Sequence, residues 1–285
     1  MQHLETISAR WASLSNFDES QMAEVKSQLH QAVQLLGMVG RRILPHDPSD
    51  VTANLGWDDK HQALVSRPLA GAGETFKAGL KLKDFLLIII NDDALASTFE
   101  LNGKTQGEAI AWLKSEFEER GFNSSNFDLE LPYEIPEYPQ QNGAPFEFVN
   151  PPLFDELGKY FANAQAVLEV VESNSENVSE IRCWPHHFDI ATLITLKDTG
   201  DPETSSSVNV GFSPGDGSYN EPYFYVSPWP YPEKSQLPAL ESGFWNTEGY
   251  TAAILKGSEI VANGQDICAK RFITQSIDPI KAILG

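Results

Sequence analysis

The sequence predicts an α+β protein made mainly of antiparallel sheet, with helices packed on one side. Three observations carry this prediction. Apolar residues recur at helical spacing in four separated stretches. Between those stretches lie short runs that alternate apolar and polar residues. Turn residues rather than helices join the runs, and connections that short close antiparallel pairs.

The first helix is expected over residues 18–43, where Leu29, Val33, Leu36 and Gly40 face one side, and Pro45 and Pro48 end it. Residues 51–57 and 62–66 read as a hairpin around Asp58, Asp59 and Lys60. Phe76, Ala78, Leu80 and Leu82 alternate with Lys77, Gly79, Lys81 and Lys83, giving a strand with one buried and one wet face. Residues 86–90 are apolar on both faces and belong in the middle of a sheet, and residues 95–101 form another strand closed by Asn102-Gly103. Thr105 and Glu108 have capping-box spacing and open a helix that runs to Arg120 and stops at Gly121.

Residues 123–152 contain Pro132, Pro136, Pro139, Pro145 and Pro151-Pro152 at the end, which exclude long regular elements. Leu129, Leu131, Tyr133, Phe146 and Phe148 make this stretch too apolar for a free linker, so it reads as an ordered connection. A helix over residues 153–172 follows, with Phe154, Leu157, Phe161, Ala164 and Leu168 in register. Strands are expected near 180–196, 206–212, 221–228 and 243–255, then a helix over 266–284 bent or split by Pro279. The organisation is thus a half at 1–122, the connection at 123–152 and a half at 153–285, within one compact unit. The order helix, strands, helix in each half suggests two similar halves, although no residue-level repeat is visible.

Forty acidic against 20 basic residues give a net charge of −20, which repels phosphate backbones and anionic lipid. Nucleic acid and membrane are therefore excluded as expected partners, and a small molecule is retained. Cys183 and Cys268 are the two cysteines, with no CxxC pair, which suits a reducing, cytoplasmic compartment. Residues 1–14 lack the apolar run of a signal peptide, and the longest aliphatic run, 86–90, is too short to span a bilayer.

Candidate chemistry concentrates between residues 184 and 231. If 183–195 is one strand, His187 and Asp189 share a face, and Trp184, His186 and Phe188 share the other. Imidazole and carboxylate so placed can share a divalent metal, the cofactor this arrangement would accept, or form a proton-transfer dyad. Glu221 or Asp216 would supply a further oxygen. The same pair can equally brace a sheet. The loop Ser213-Pro214-Gly215-Asp216-Gly217 exposes backbone amides or is simply a hairpin turn, and it lacks the lysine and spacing of a phosphate-binding loop. The aromatic cluster from Tyr219 to Tyr231, with Tyr223, Tyr225 and Trp229, lines a pocket, or Tyr223 and Tyr225 alternate with Phe224 as the wet and core faces of a strand.

Two functions follow. One is binding of a small molecule in an aromatic and acidic cleft built from Trp184, His186, Gly215, Asp216, Tyr223, Tyr225 and Trp229. The alternative is a metal-assisted or acid–base hydrolase using His187, Asp189 and Glu221 as catalytic or metal-binding groups. No nucleophile carries a family signature, and Cys183 reads as a small buried group.

The motifs also resemble a bacterial family of unknown function. Its pattern Leu-His-x-x-x-Gln-x-x-Gly is similar to Leu29-His30 with Gln34 and Gly37, and its Trp-rich strand ending in Arg-Gly-Leu to Trp57 through Arg67-Pro68-Leu69. Its Trp-x-x-Phe-Asp-x-Ala core is similar to Trp184 with Phe188-Asp189-Ile190-Ala191, where this chain has one extra residue and carries His186-His187. Gly-Phe-x-Pro-Gly and Glu-Pro-x-Phe-Tyr appear as Gly211–Gly215 and Glu221–Tyr225. The resemblance implies a shared fold and site region, not a reaction. It adds His30 and Gln34 as site candidates from one face of the first helix, or as a polar edge beside its apolar stripe.

Overall fold

The computed structural model describes residues 2–71, 73–201 and 203–285. In chain order the helices are α1 (Gln2–Arg10), α2 (Glu19–Ile43), α3 (Gln106–Glu119), α4 (Pro151–Ser173), α5 (Gly257–Ala262) and α6 (Asp266–Leu284). The strands are β1 (Gly56–Asp58), β2 (Ala63–Val65), β3 (Leu69–Gly71), β4 (Glu74–Lys81), β5 (Leu86–Asn91) and β6 (Ala94–Glu100), then β7 (Arg182–Trp184), β8 (Asp189–Lys197), β9 (Ser206–Ser213), β10 (Tyr223–Trp229), β11 (Phe244–Asn246) and β12 (Ala252–Lys256). The architecture is α+β, and the strand pairs are antiparallel. Among the described residues no helix is long and apolar enough to cross a membrane. The chain forms two compact units. Unit I comprises Ser20–Gly158 and Arg182–Phe188; unit II comprises Met1–Glu19, Lys159–Ile181 and Asp189–Gly285.

In unit I the sheet runs β1-β2-β4-β5-β6, with β3 added to β4. The alternation over 76–82 places Phe76, Ala78 and Leu80 in the interior, and Leu87 to Ile90 of β5 are buried on both faces. Gly79 leaves room for the side chains of its two cross-strand neighbours: a Cβ there would lie 3.0 Å from Ile88 Cγ1 and 3.1 Å from Val65 Cγ1. Helix α3 starts at the expected capping box, with Glu108 N donating to Thr105 Oγ1 at 3.2 Å and Thr105 N to Glu108 Oε2 at 2.9 Å. Trp112 of α3 stacks on Phe99 of β6 at 5.3 Å. Residues 123–150 hold one 3-10 turn, Pro139–Asn142, and bury Phe127, Tyr138 and Phe146.

Helix α2 is buried on all sides over residues 28–40, including the polar Gln28, His30, Gln31 and Gln34. A helix so enclosed needs internal partners for its polar side chains. Gln28 Oε1 accepts from Gln140 Nε2 and from Glu147 N, both at 3.1 Å, which ties the proline-rich segment to the helix. Gly40 permits a close backbone approach, because a Cβ there would lie 2.0 Å from Thr52 O.

Unit II has the strand order β8-β9-β10-β12-β11. One sheet face carries Phe212, Phe224 and Val226, all buried; Tyr160 and Phe161 of α4 pack on Phe212 at ring distances of 5.7 and 5.3 Å. Helix α6 continues through Pro279. The register sets Asp189, Ala191, Leu193 and Thr195 on the opposite face, with Gly211, Ser207, Tyr223, Tyr225 and Trp229 beside them.

Three expectations are corrected. Residues 51–53 form a 3-10 turn rather than strand, and 243–255 hold two strands, β11 and β12, rather than one. Residues 183–195 are not a single strand: a turn at 185–188 separates β7 from β8. Pro185 has no N–H for a ladder, Phe188 N closes the turn on Trp184 O at 2.7 Å, and Phe188 sits at φ 57°. The alternation that placed His187 and Asp189 on one strand face therefore does not hold. Helices α1 and α5 are too short to show a clear period in the sequence.

Candidate functional site

In unit I the candidates from α2 meet the 184–188 turn. His30 is buried, with Nε2 3.0 Å from Pro185 O and Nδ1 2.8 Å from Tyr138 Oη. A carbonyl can only accept, so Nε2 carries the proton and Nδ1 accepts from Tyr138. Burial lowers the His30 pKa to about 4, so the ring is neutral at pH 7. Burial likewise pushes the Tyr138 phenol up to about 12. Gln34 Nε2 donates to Pro185 O at 2.7 Å and to His30 O at 3.0 Å, while its Oε1 accepts from Tyr133 Oη at 2.9 Å. Tyr133 Oη in turn accepts from Arg41 Nη2 at 2.5 Å, and Arg41 grips Asp50 with two bonds of 2.7 and 2.8 Å.

The bonds thus run in one direction from Arg41 through Tyr133 and Gln34 to Pro185 O, where His30 and Tyr138 enter from the other side. A Cβ on Gly37 would lie 3.3 Å from Pro185 Cγ, and the Phe188 ring stacks on His30 at 5.7 Å. His30, Gln34 and Gly37, the members of one motif, all hold the same turn. Trp184 packs edge-on to His186 at 5.8 Å; His186 lies 4.3 Å from the exposed His187 and 5.3 Å from Tyr133. Burial first, and the neighbouring His187 second among the lowering causes, bring the His186 pKa down.

In unit II Tyr225 Oη donates to Asp189 Oδ2 at 2.6 Å. Its ring lies over Gly211, where a Cβ would be 2.5 Å from Tyr225 Cζ and 2.8 Å from Ala191 Cβ. Burial, then the Asp189 charge, holds the Tyr225 phenol well above its ordinary pKa, so it stays a donor. Asp216 anchors the glycine loop: Oδ1 accepts from Ser218 N at 2.7 Å and Tyr219 N at 3.0 Å, and Oδ2 from Tyr223 Oη at 2.6 Å. Gly215 adopts φ 105°, and its N–H donates to Ser213 Oγ at 3.2 Å. Glu221 is buried; Oε2 accepts from Ser258 N at 2.8 Å and Oε1 pairs with Lys256 Nζ at 3.2 Å. Among the described residues no three His, Cys, Asp or Glu side chains come together as a metal-binding group.

The structure adds a feature that the sequence reading passed over. The register Thr195↔Ser207↔Trp229 brings three strands together at one end of the sheet. The loop from β8 to β9 rises beside them. Together they form an open cleft of ≈ 530 Å³ walled by Trp229, Leu193 and Thr195, with the carboxylates Asp198, Asp201 and Glu203 and Ser205, Ser206 and Ser207 around it. Of the candidates named from sequence, Trp229 lines this cleft, while Asp189, Asp216, Tyr223 and Tyr225 make the contacts described above. The acidic run 198–203 reads by itself as a solvated turn, and only its position beside Trp229 distinguishes it.

Comparison of the chain with family models, with curated proteins and with solved structures finds no match.

Proposed function

We propose that the protein binds a small molecule in the cleft of unit II, against the Trp229 indole and between the carboxylates of Asp198, Asp201 and Glu203. The observation that carries this reading is that an aromatic wall and three acidic groups line one concavity of ≈ 530 Å³. The remaining aromatic and acidic candidates of unit II engage one another. Asp189 holds Tyr225, Asp216 holds Tyr223, and Glu221 holds Lys256 and the start of α5. In this reading they shape the sheet that presents the cleft.

We read the resemblance to the bacterial family in the same way. Its motif residues are the ones that lock the 184–188 turn in unit I and the Asp189–Tyr225 contact in unit II. Two free, buried cysteines support a reducing, cytoplasmic compartment, and the net charge of −20 argues against nucleic acid as a partner. The test is a ligand-observed NMR fragment screen on the full chain. Hits should vanish with Trp229→Ala and persist with Trp245→Phe, a tryptophan elsewhere in the same unit. Hits that survive Trp229→Ala unchanged would refute this site.

A further inference from the structure

We propose that unit I binds a small zwitterion, an amino acid, in the cavity where α2 ends. The inference does not rest on the unit II cleft. Three pieces of chain meet at this cavity: the last turn of α2, the residues that follow it as far as Thr52, and the stretch 130–132 of the proline-rich segment. Between them lies a volume of ≈ 300 Å³, which suits a small ligand.

Arg41 is the fixed part of the cavity wall. Its Nε and Nη2 donate to Asp50 at 2.7 and 2.8 Å, Nη2 also donates to Tyr133 Oη at 2.5 Å, and the guanidinium carbon lies 5.0 Å from the centre of the Tyr133 ring. These contacts leave the side chain only 13 % exposed. Nη1 stands outside all of them. It has no partner among the described residues and is not sealed from solvent, so a pre-oriented, charged donor remains open on the cavity wall. Thr52 Oγ1, on the same wall, is a second donor without a partner among the described residues.

Acceptors are open in the same cavity. The Glu130 carboxylate has no partner among the described residues. Asp47 takes both of its contacts from Ser49, at 2.9 and 2.5 Å, on Oδ1, which leaves Oδ2 available. Charge then decides the ligand class. A simple anion on Arg41 would lie near two unpaired carboxylates, and a simple cation drawn to those carboxylates would lie near the guanidinium. A molecule that carries both groups satisfies both. Its carboxylate accepts from Arg41 Nη1 and Thr52 Oγ1, and its ammonium donates to Glu130 and Asp47. Leu131 supplies an apolar surface for the remainder.

The experiment is an NMR titration of the full ¹⁵N-labelled chain that follows the assigned backbone amides of Asp50, Thr52 and Leu131. The probes are L-leucine and 5-aminopentanoate. Each is compared with its analogue lacking the ammonium, 4-methylpentanoate or pentanoate, and with its analogue lacking the carboxylate, 3-methylbutan-1-amine or butan-1-amine. At least one zwitterion should shift these amides saturably, with a Kd on the order of 1 mM. Both of its single-charge analogues should bind at least about threefold more weakly. The double substitution Asp47→Asn, Glu130→Gln keeps an acceptor for Ser49. It should weaken the zwitterion roughly tenfold, about threefold for each screened charge, with an unchanged melting temperature and no weakening of the carboxylate-only analogue. The inference is overturned if a single-charge analogue binds as tightly as its parent, if the double substitution leaves zwitterion affinity unaltered, or if neither zwitterion shifts these amides.

Discussion

Tyr225 reaches over Gly211 to donate a 2.6 Å hydrogen bond to Asp189, so three strands of unit II are joined by one side-chain contact on the face opposite Phe212 and the Tyr160 ring of α4. The contact exists only because position 211 has no Cβ. Gly211→Ala would push a methyl to 2.5 Å from Tyr225 Cζ and 2.8 Å from Ala191 Cβ. Overpacking of this kind typically costs roughly 1–3 kcal/mol. Urea denaturation should show that loss, and a midpoint equal to that of the parent would mean the ring moves aside freely.

The same pair can be separated from its packing. Tyr225→Phe keeps the ring and removes the donor to a carboxylate, with an expected loss of about 1–3 kcal/mol. Combining it with Asp189→Asn in a double-mutant cycle should give a coupling well above the additivity error, about 0.5 kcal/mol. Additive losses would show that the hydrogen bond contributes nothing specific to stability.

His30 makes stability depend on pH. Its pKa falls from 6.5 to about 4 on folding, so between these values the unfolded chain binds more protons than the native one. Stability from this residue is complete above pH 6.5 and declines as pH falls toward 4. Between pH 7.5 and 5 the decline amounts to about 2 kcal/mol for a shift of this size. The acidic surface changes its own repulsion over that range, so the useful comparison is with His30→Gln. The parent should lose about 2 kcal/mol more than this variant, and parallel pH profiles would refute the assignment.

Two glycines of α2 should respond differently to alanine. At Gly40 the added Cβ would meet Thr52 O, a main-chain atom, at 2.0 Å, and nothing can move without shifting the helix or the 51–53 turn. We expect Gly40→Ala to cost roughly 3 kcal/mol or more. At Gly37 the nearest atom is Pro185 Cγ at 3.3 Å, a contact that a few tenths of an ångström relieves. The gain in helix propensity, about 1 kcal/mol, offsets most of that strain. Thermal melts of the two variants side by side decide the ranking.

Glu221 holds the Ser258 amide and the Lys256 ammonium in this structure. Glu221→Gln retains one acceptor for Ser258 N but discharges the partner of Lys256, and we expect a loss of roughly 1–3 kcal/mol. Fragment binding at the Trp229 cleft should persist in the folded variant. Unchanged stability together with lost ligand binding would instead place Glu221 in the site.

Much of the fold was legible in single stretches of sequence. The capping box of Thr105 and Glu108, the alternation over 76–82, the doubly buried run before Asn91 and the antiparallel pairing each follow from local spacing and short connections. The 185–188 turn was not legible, because a proline in a run of aromatic and β-forming residues is compatible with an edge strand or a turn. The choice was made by His30 and Gln34, about 150 residues earlier in the chain, whose donors both reach Pro185 O.

The candidate site divides in the same way. Sequence by itself determined that the protein is acidic, α+β and rich in aromatic residues between 184 and 231, since composition and periodicity need no partner to be read. Which aromatic faces a cleft and which faces a neighbour was decided by tertiary structure. Tyr223 and Tyr225 are alike in local sequence to Trp229, yet strand register gives the first two a carboxylate each and sets the third beside the acidic 198–203 loop. Register is a long-range property. It depends on which residues of β8 and β9 pair with β10, and a shift of one position would turn all three aromatic side chains to the opposite face.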